Sequence, residues 1–266
     1  MIKRFRNIRQ KLVNEGKTVN YLKYAIGEII LVMIGILLAL QVNNWNEQRK
    51  SKLEEIKILK DFQESLQIDI IGLNRATNAN TRAKNSMNFL LDYMEKDLPY
   101  NDSLKYHFGN TTFHWLYGIS NSVVDALKSK GLNLISNDSL KQRIINIYTW
   151  SNSTFQDDQI RYRNIIINAS RNIYNTRFDE FWFSNYETWK GGNSVENNDF
   201  TINDIVLEMV PNDFEKLKKD NEYIYFLKSQ RNQYNWLIEN QCNGLLKSLR
   251  KLKNEIGIEL KRLKNQ

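Results

Sequence analysis

The sequence predicts an all-α protein: one N-terminal transmembrane helix followed by an extracytoplasmic antiparallel helical bundle with long coiled-coil-like helices. Three observations predict it. Residues Ala25 to Val42 are almost unbroken apolar, with Glu28 their only charge. The 266 residues contain only two prolines and eleven glycines, few for a turn-rich β fold. Downstream, apolar residues recur at spacings of three and four, the repeat of one helix face.

The first element is the stretch Tyr24 to Glu47, YAIGEIILVMIGILLALQVNNWNE. At 1.5 Å per residue its apolar run covers about 27 Å, close to a bilayer's hydrocarbon core. Tyr21 and Tyr24 at one end and Trp45 at the other are amphipathic rings suited to the two membrane interfaces. A buried core helix rarely stays apolar on every face for five turns. A cleaved leader is disfavoured too, because no small-x-small site follows Ala39, Leu40, Gln41 and Val42. The expected boundaries are a basic cytoplasmic arm at 1–23, a transmembrane helix at 24–45 and an extracytoplasmic bundle at 46–266, a bacterial inner-membrane topology.

Charge supports that orientation. The arm holds Lys3, Arg4, Arg6, Arg9, Lys11, Lys17 and Lys23 against Glu15, a net of +6. The remaining chain, with 31 basic and 29 acidic residues, carries only +2 of the formal +8. A basic cluster beside a membrane helix is what the positive-inside rule and anionic lipids produce. Nucleic-acid binding would need a basic stripe on the folded domain, so no nucleic acid is expected as a partner. The arm can itself form a short amphipathic helix through Phe5, Ile8 and Leu12.

After Trp45 the apolar positions Leu53, Ile56, Leu59, Phe62, Leu66, Ile70, Leu73 and Ala76 predict one long helix over 46–97. It is weakest at Gly72 and the Asn-rich 74–80, and Pro99 with Asn101-Asp102-Ser103 ends it. A shorter helix follows at 103–118. Ser120 to Ser122 cap another that stops at Gly131, and Ser136 to Asp138 cap a long helix that fades near Ser184. Residues 184–200 read as a loop. Pro211-Asn212-Asp213 opens the last helix, where Leu245, Leu249, Leu252, Ile256, Leu260 and Leu263 give coiled-coil-like spacing over about three heptads. The count suggests a four-helix bundle. Matched helices over 46–97 and 213–264 would pair antiparallel with partner numbers summing to roughly 310, Leu66 beside Leu245.

The opening MIKRFRNIRQKL with the YAIGEI…IGI…ALQ…NNWNE segment resembles the start of an uncharacterised, Bacteroidetes-type single-pass membrane protein family, a domain of unknown function (family 6090). Val124 to Tyr148, VDALKSKGLNLISNDSLKQRIINIY, is similar to that family's turn between helices. The resemblance implies a single-pass membrane protein and supplies no activity.

No phosphate loop, His-Glu-x-x-His, paired-cysteine spacing or Gly-x-Ser-x-Gly elbow is present, so neither cofactor nor metal is expected. His107 and His114, seven apart, would share a helix face but lack a third ligand. Asp157-Asp158 and Asp179-Glu180 are adjacent residues that do not face each other on a helix, and read as solvated charges. Trp115, Tyr117, Trp150, Phe181, Trp182, Phe183, Tyr186 and Trp189 read as bundle core and end-plug. Cys242, the only cysteine, reads as a buried structural thiol. Glu28 is the one oddly placed polar residue. With Gly35 and Ala39 it lies on one face, where a small-xxx-small pair permits close helix approach, and this face is the expected self-association surface.

The function expected from these features is binding or scaffolding of other proteins at the cell envelope. The partners would be the lipid bilayer, a second copy in a homodimer and an unidentified membrane or envelope protein. The alternative is a sensory module that binds a small ligand in its helical domain and acts through a membrane partner. An enzyme is the third reading, for want of any catalytic constellation.

Overall fold

The helices expected at 24–45 and 46–97 are one element. The computed structural model describes residues 18–115, 117–183 and 206–265. In it α1 spans Thr18–Glu95, 78 residues. The chain divides into two units, Met1–Ile56 and Lys57–Gln266. In the first, the described part is α1 alone, with Lys50 paired to Glu47 at 3.2 Å.

In the second unit, α1 carries the predicted stripe. Leu59, Phe62, Leu66, Leu73, Ala83, Met87 and Leu90 are all buried. Gly72 and the Asn-rich turns after it do not weaken the helix. Asn74, Thr77 and Thr81 side chains bond back to the carbonyls of Ile70, Leu73 and Thr77. The helix ends where Asp97 takes a left-handed turn at φ 52°. The buried ammonium of Lys218 donates to Asp97 at 2.7 Å there, and to Glu215 at 2.9 Å.

Helix α2, Leu104–Thr111, is shorter than the expected 103–118. The hydroxyls of Thr111 and Thr112 donate to the carbonyls of Phe108 and Gly109 at 2.7 Å each, a local bonding that competes with helix continuation. An extended segment leads to α3, Ser122–Lys130, which stops at Gly131 with φ 101°. Asn137 accepts from the Leu140 amide and caps α4, Asp138–Asn146. A π turn, Ile147–Ser151, joins α4 to α5, Asn152–Asn172.

Here the expectation of helix to Ser184 fails. After a 3₁₀ turn at Tyr174–Thr176 the chain becomes β1, Phe178–Phe183. It pairs antiparallel with β2, Leu207–Pro211, with one irregularity between Phe178 and Phe181. Phe-Asp-Glu-Phe-Trp-Phe is aromatic-rich and short, favouring a strand once a partner exists. The expected loop at 184–200, with Tyr186 and Trp189, lies outside the described residues.

The C-terminal helix also starts twice. Asp213 caps the single turn α6, Phe214–Leu217, and Asp220 then caps α7, Asn221–Trp236, accepting from Glu222 and Tyr223 amides. A π turn, Leu237–Cys242, leads into α8, Asn243–Asn265. All six leucine and isoleucine positions of the predicted α8 stripe are buried.

Within Lys57–Gln266 three long helical runs are described, not four: α1, α4–α5 and α7–α8. Arg250 donates to Asn74 at 3.2 Å, Lys253 to Gln67, and Gly257 lies against Gln63. These partners sum to 320–324, so α8 is antiparallel to α1 but displaced about ten residues from the expected register. The later start of α7 at Asn221 rather than 213 accounts for most of the offset. On the other flank Arg143 meets Glu255 at 2.5 Å and Asn137 meets Glu259 at 3.0 Å, an antiparallel pairing of α4 with α8. The far end of the bundle is an aromatic core, in which Phe108, Phe178, Tyr223 and Tyr174 meet edge-on at 5.2–6.4 Å. These rings, with Phe62, Phe155 and Tyr234, are buried, while the side chains of Trp150, Phe181, Trp182 and Phe183 lie outside the described ones.

Candidate functional site: an exposed apolar helix and a buried backbone clamp

The first candidate lies in Met1–Ile56. Between Ile26 and Val42 every large apolar side chain keeps 45–66% of its surface exposed. No part of this window is buried, and the helix is long and apolar enough to cross a membrane. Thirteen such side chains from Leu22 to Val42 left in water would forgo on the order of 10–20 kcal/mol of burial. Exposed apolar surface of this size marks a contact with a membrane or another protein.

The expected residues fall on that helix as follows. Glu28 is half-buried beside Ala25, while a Cβ on Gly35 would meet nothing within 4 Å. Because α1 is unbroken, positions 28, 35 and 39 return to one face at 3.6 residues per turn. Trp45 is 63% exposed. Tyr21 and Tyr24 belong to α1, and their side chains lie outside the described ones.

The second candidate is in the bundle and was missed from sequence. The extended segment leaving α2 is held by side chains that read its backbone. Asn80 of α1 accepts from the Trp115 amide at 3.1 Å and donates to the Trp115 carbonyl at 3.2 Å. Gln159 of α5 does the same for Tyr117, at 2.7 and 2.8 Å. Asn152 donates to Asn121 at 3.1 Å and to the Ile119 carbonyl at 3.4 Å. Asp69 accepts from the Tyr117 hydroxyl at 3.2 Å and the Ser120 amide at 3.3 Å. Such pairs satisfy backbone groups that cross a bundle without a sheet partner. Burial raises the Asp69 carboxyl above its ordinary range, opposed by Ser120 and by the hydroxyls of Tyr117 and Tyr148. Tyr117 fits because Gly72 has no side chain; a Cβ there would overlap the ring. The available signal was Asp69, Asn80, Asn152 and Gln159 set among apolar positions of two helices.

Among the described residues, the histidines, the cysteine and the carboxylate pairs singled out from sequence do not come together. His107 stacks on Phe89 at 4.1 Å and meets Ser86 at 3.2 Å, whereas His114 lies beyond α2, between Tyr162 and Tyr234. The two do not share a helix face. Burial lowers His114 to about 4 and pushes the Cys242 thiol up to about 11. Asp158 pairs with Arg161 at 2.6 Å, and Asp179 and Glu180 lie on β1. Among the described residues no cluster of three His, Cys, Asp or Glu is placed to hold a metal.

Comparison with known proteins adds one relation. No curated protein and no solved structure matches the chain. A family model does match, from Glu28 in the apolar helix to Asn152 in the backbone clamp, leaving Gln159 outside it. Residues 28–152, a little under half of the chain, match the model of the family of unknown function DUF6090, the family that its sequence resembles.

Proposed function

We propose that the protein is a single-pass inner-membrane protein whose helical domain binds or scaffolds other proteins of the cell envelope. The arm at 1–23 is cytoplasmic, residues 24–45 span the bilayer, and 46–266 form the extracytoplasmic, coiled-coil-like domain. One observation carries this reading: the apolar surface of Ile26 to Val42 is exposed on all sides. Lipid is the partner that satisfies such a surface, since α1 keeps its backbone bonds internal. The continuity of α1 through Glu95 favours a retained anchor over a cleaved leader. The net +6 of the arm favours an inward N-terminus, against the smaller opposing group Arg49, Lys50 and Lys52.

A homodimer through Glu28, Gly35 and Ala39 belongs to the same reading. The open space about Gly35 means a larger side chain would not disturb the protomer. Gly35→Ile should therefore weaken association of the membrane segment, by roughly 1–2 kcal/mol, while leaving insertion unchanged. A membrane two-hybrid assay reads this directly; full association in Gly35→Ile would remove this face as the contact.

Topology is tested by fusing alkaline phosphatase after Gln266, which should be active, and a fluorescent protein that matures only in the cytoplasm, which should be dark. The reverse pattern overturns the orientation. In-membrane crosslinking would identify the envelope partner. The sensory reading has one observation in its favour, a cavity at the ribbon end of the bundle.

A further inference from the structure

We propose that this cavity, between the end of α5 and the β-ribbon, binds a small organic cation carrying an apolar or aromatic body. The inference deepens the sensory reading and does not depend on the membrane anchor. The cavity lies wholly within Lys57–Gln266 and measures about 330 Å³, room for roughly ten waters or one small ring compound.

Its floor is apolar and already formed. Ile166, Tyr174, Phe178 and Met209 line it, and each is at most 9% exposed. Tyr174 and Phe178 are fixed edge to face at 5.9 Å, so ring surface is presented without rearrangement. Its rim is polar and open: Ser170, Asn175, Asp179 and Glu180 border the mouth and are exposed. Among the described residues no lysine or arginine lines the cavity. Arg177, next to Phe178 in sequence, is committed elsewhere, to Asp220 at 2.8 Å and to Glu222. It borders a separate hollow with Thr176 and Asp220.

An apolar floor selects a body, and two carboxylates without a cation select the sign of the head group. Ring faces next to a carboxylate rim are the setting in which an ammonium gains from both cation–π and charge attraction. An anionic ligand would meet Asp179 and Glu180 unpaired, and a neutral one would leave the rim unused.

The test uses the full-length protein in lipid nanodiscs with ¹³C-methyl methionine. Met209 lines the cavity and is 1% exposed, whereas Met33 lies in the apolar segment at 52% exposed and reports partitioning into lipid. Phenethylammonium should shift the Met209 methyl saturably and leave Met33 unmoved. Neutral 2-phenylethanol should bind more weakly, and phenylacetate weakest. The Asp179→Asn/Glu180→Gln double variant should weaken phenethylammonium roughly three- to tenfold and leave 2-phenylethanol unchanged. Ser170→Trp, at an exposed rim position, should abolish the Met209 shift. The proposal is overturned by any of three results. One is no saturable Met209 shift; another is equal binding of the three probes; the last is an unchanged phenethylammonium affinity in the double variant. None of these outcomes bears on the topology reporters, so the two readings fail separately.

Discussion

At the scale of single residues, the position that decides most is Gly72. In sequence it looked like a weak point of α1, yet the helix passes straight through it and the Tyr117 ring occupies the space a side chain would take. Gly72→Ala should gain about 1 kcal/mol of helix propensity but lose more by expelling a ring that Asp69 holds, a net destabilisation of about 1–2 kcal/mol. In a Tyr117→Ala background the sign should reverse, because the overlap is gone and the propensity remains. Urea titration of the four proteins of that cycle in detergent reads the reversal, and a Gly72→Ala that destabilises equally in both backgrounds would refute the contact. His114 gives a second residue-scale test. Burial holds it near pKa 4 against an ordinary 6.5, so the fold keeps it neutral while the unfolded chain protonates. Stability should be full above about pH 6.5 and drain as pH falls toward 4, by about 3 kcal/mol in total. Asp69 titrates with the opposite sign. Its raised carboxyl makes stability fall as pH rises from the ordinary carboxylate range through the folded value. His114→Gln should therefore remove the acid-side loss, and Asp69→Asn the loss on raising pH, in urea titrations between pH 4 and 7.

At the scale of elements, legibility followed the local signal. The apolar segment, the stripe of α1 and the stripe of α8 were readable because each repeats over many turns. The stop ahead of Pro99 and the stop at Gly131 were readable from turn chemistry. What was lost were elements made by partners distant in sequence. Strand β1 looked like a helix tail because Phe181 continues the apolar positions Ile166 and Ile173 at spacings of seven and eight, and only β2 makes it a strand. The backbone clamp of Asn80 and Gln159 was invisible for the same reason, since its partners are 35 and 42 residues away. The packing of α2 on β2 is of this kind too. Gly109 lies directly on the Leu207 and Glu208 backbone, and a Cβ there would stand 2.8 Å from the Glu208 nitrogen and closer to the Leu207 carbonyl. Because backbone cannot swing aside as a tyrosine ring can, Gly109→Ala should cost more than Gly72→Ala, about 2–3 kcal/mol. It should also raise hydrogen exchange of the Leu207 to Val210 amides before that of α8. Protection unchanged along β2 would show that the ribbon is seated by something else.

At the scale of the whole molecule, the open question is whether the antiparallel pairing of α1 with α8 is made within one chain. Coiled-coil-like leucine stripes pair equally well with a second protomer, and the proposed homodimer would place one close by. The intrachain register has its own fingerprint, because the partners near Gln63 and Gln67 are Gly257 and Lys253. A register summing to 310 would instead bring Gln67 to Asn243, ten residues earlier. In a Cys242→Ser background, cysteines at Gln67 and Lys253 should be joined by a short bis-maleimide within a single chain. Cysteines at Gln67 and Asn243 should stay unjoined. Serine at 242 is itself a mild change, because the thiol it replaces is buried and un-ionised. Mixing tagged and untagged chains before crosslinking separates the arrangements. Product only at monomer mass supports the return helix, while a 67–253 product that joins tagged to untagged chains would mean that α8 is exchanged between protomers. Reaction of the 67–243 pair in preference to 67–253 would mean that α7 starts nearer residue 213, which the Asp220 cap and its two amide bonds at 3.0 and 3.1 Å oppose. Breaking that cap with Asp220→Ala should cost about 1 kcal/mol and raise the yield of the 67–243 product. The register of the bundle would then be traced to one carboxylate at the start of its last long helix.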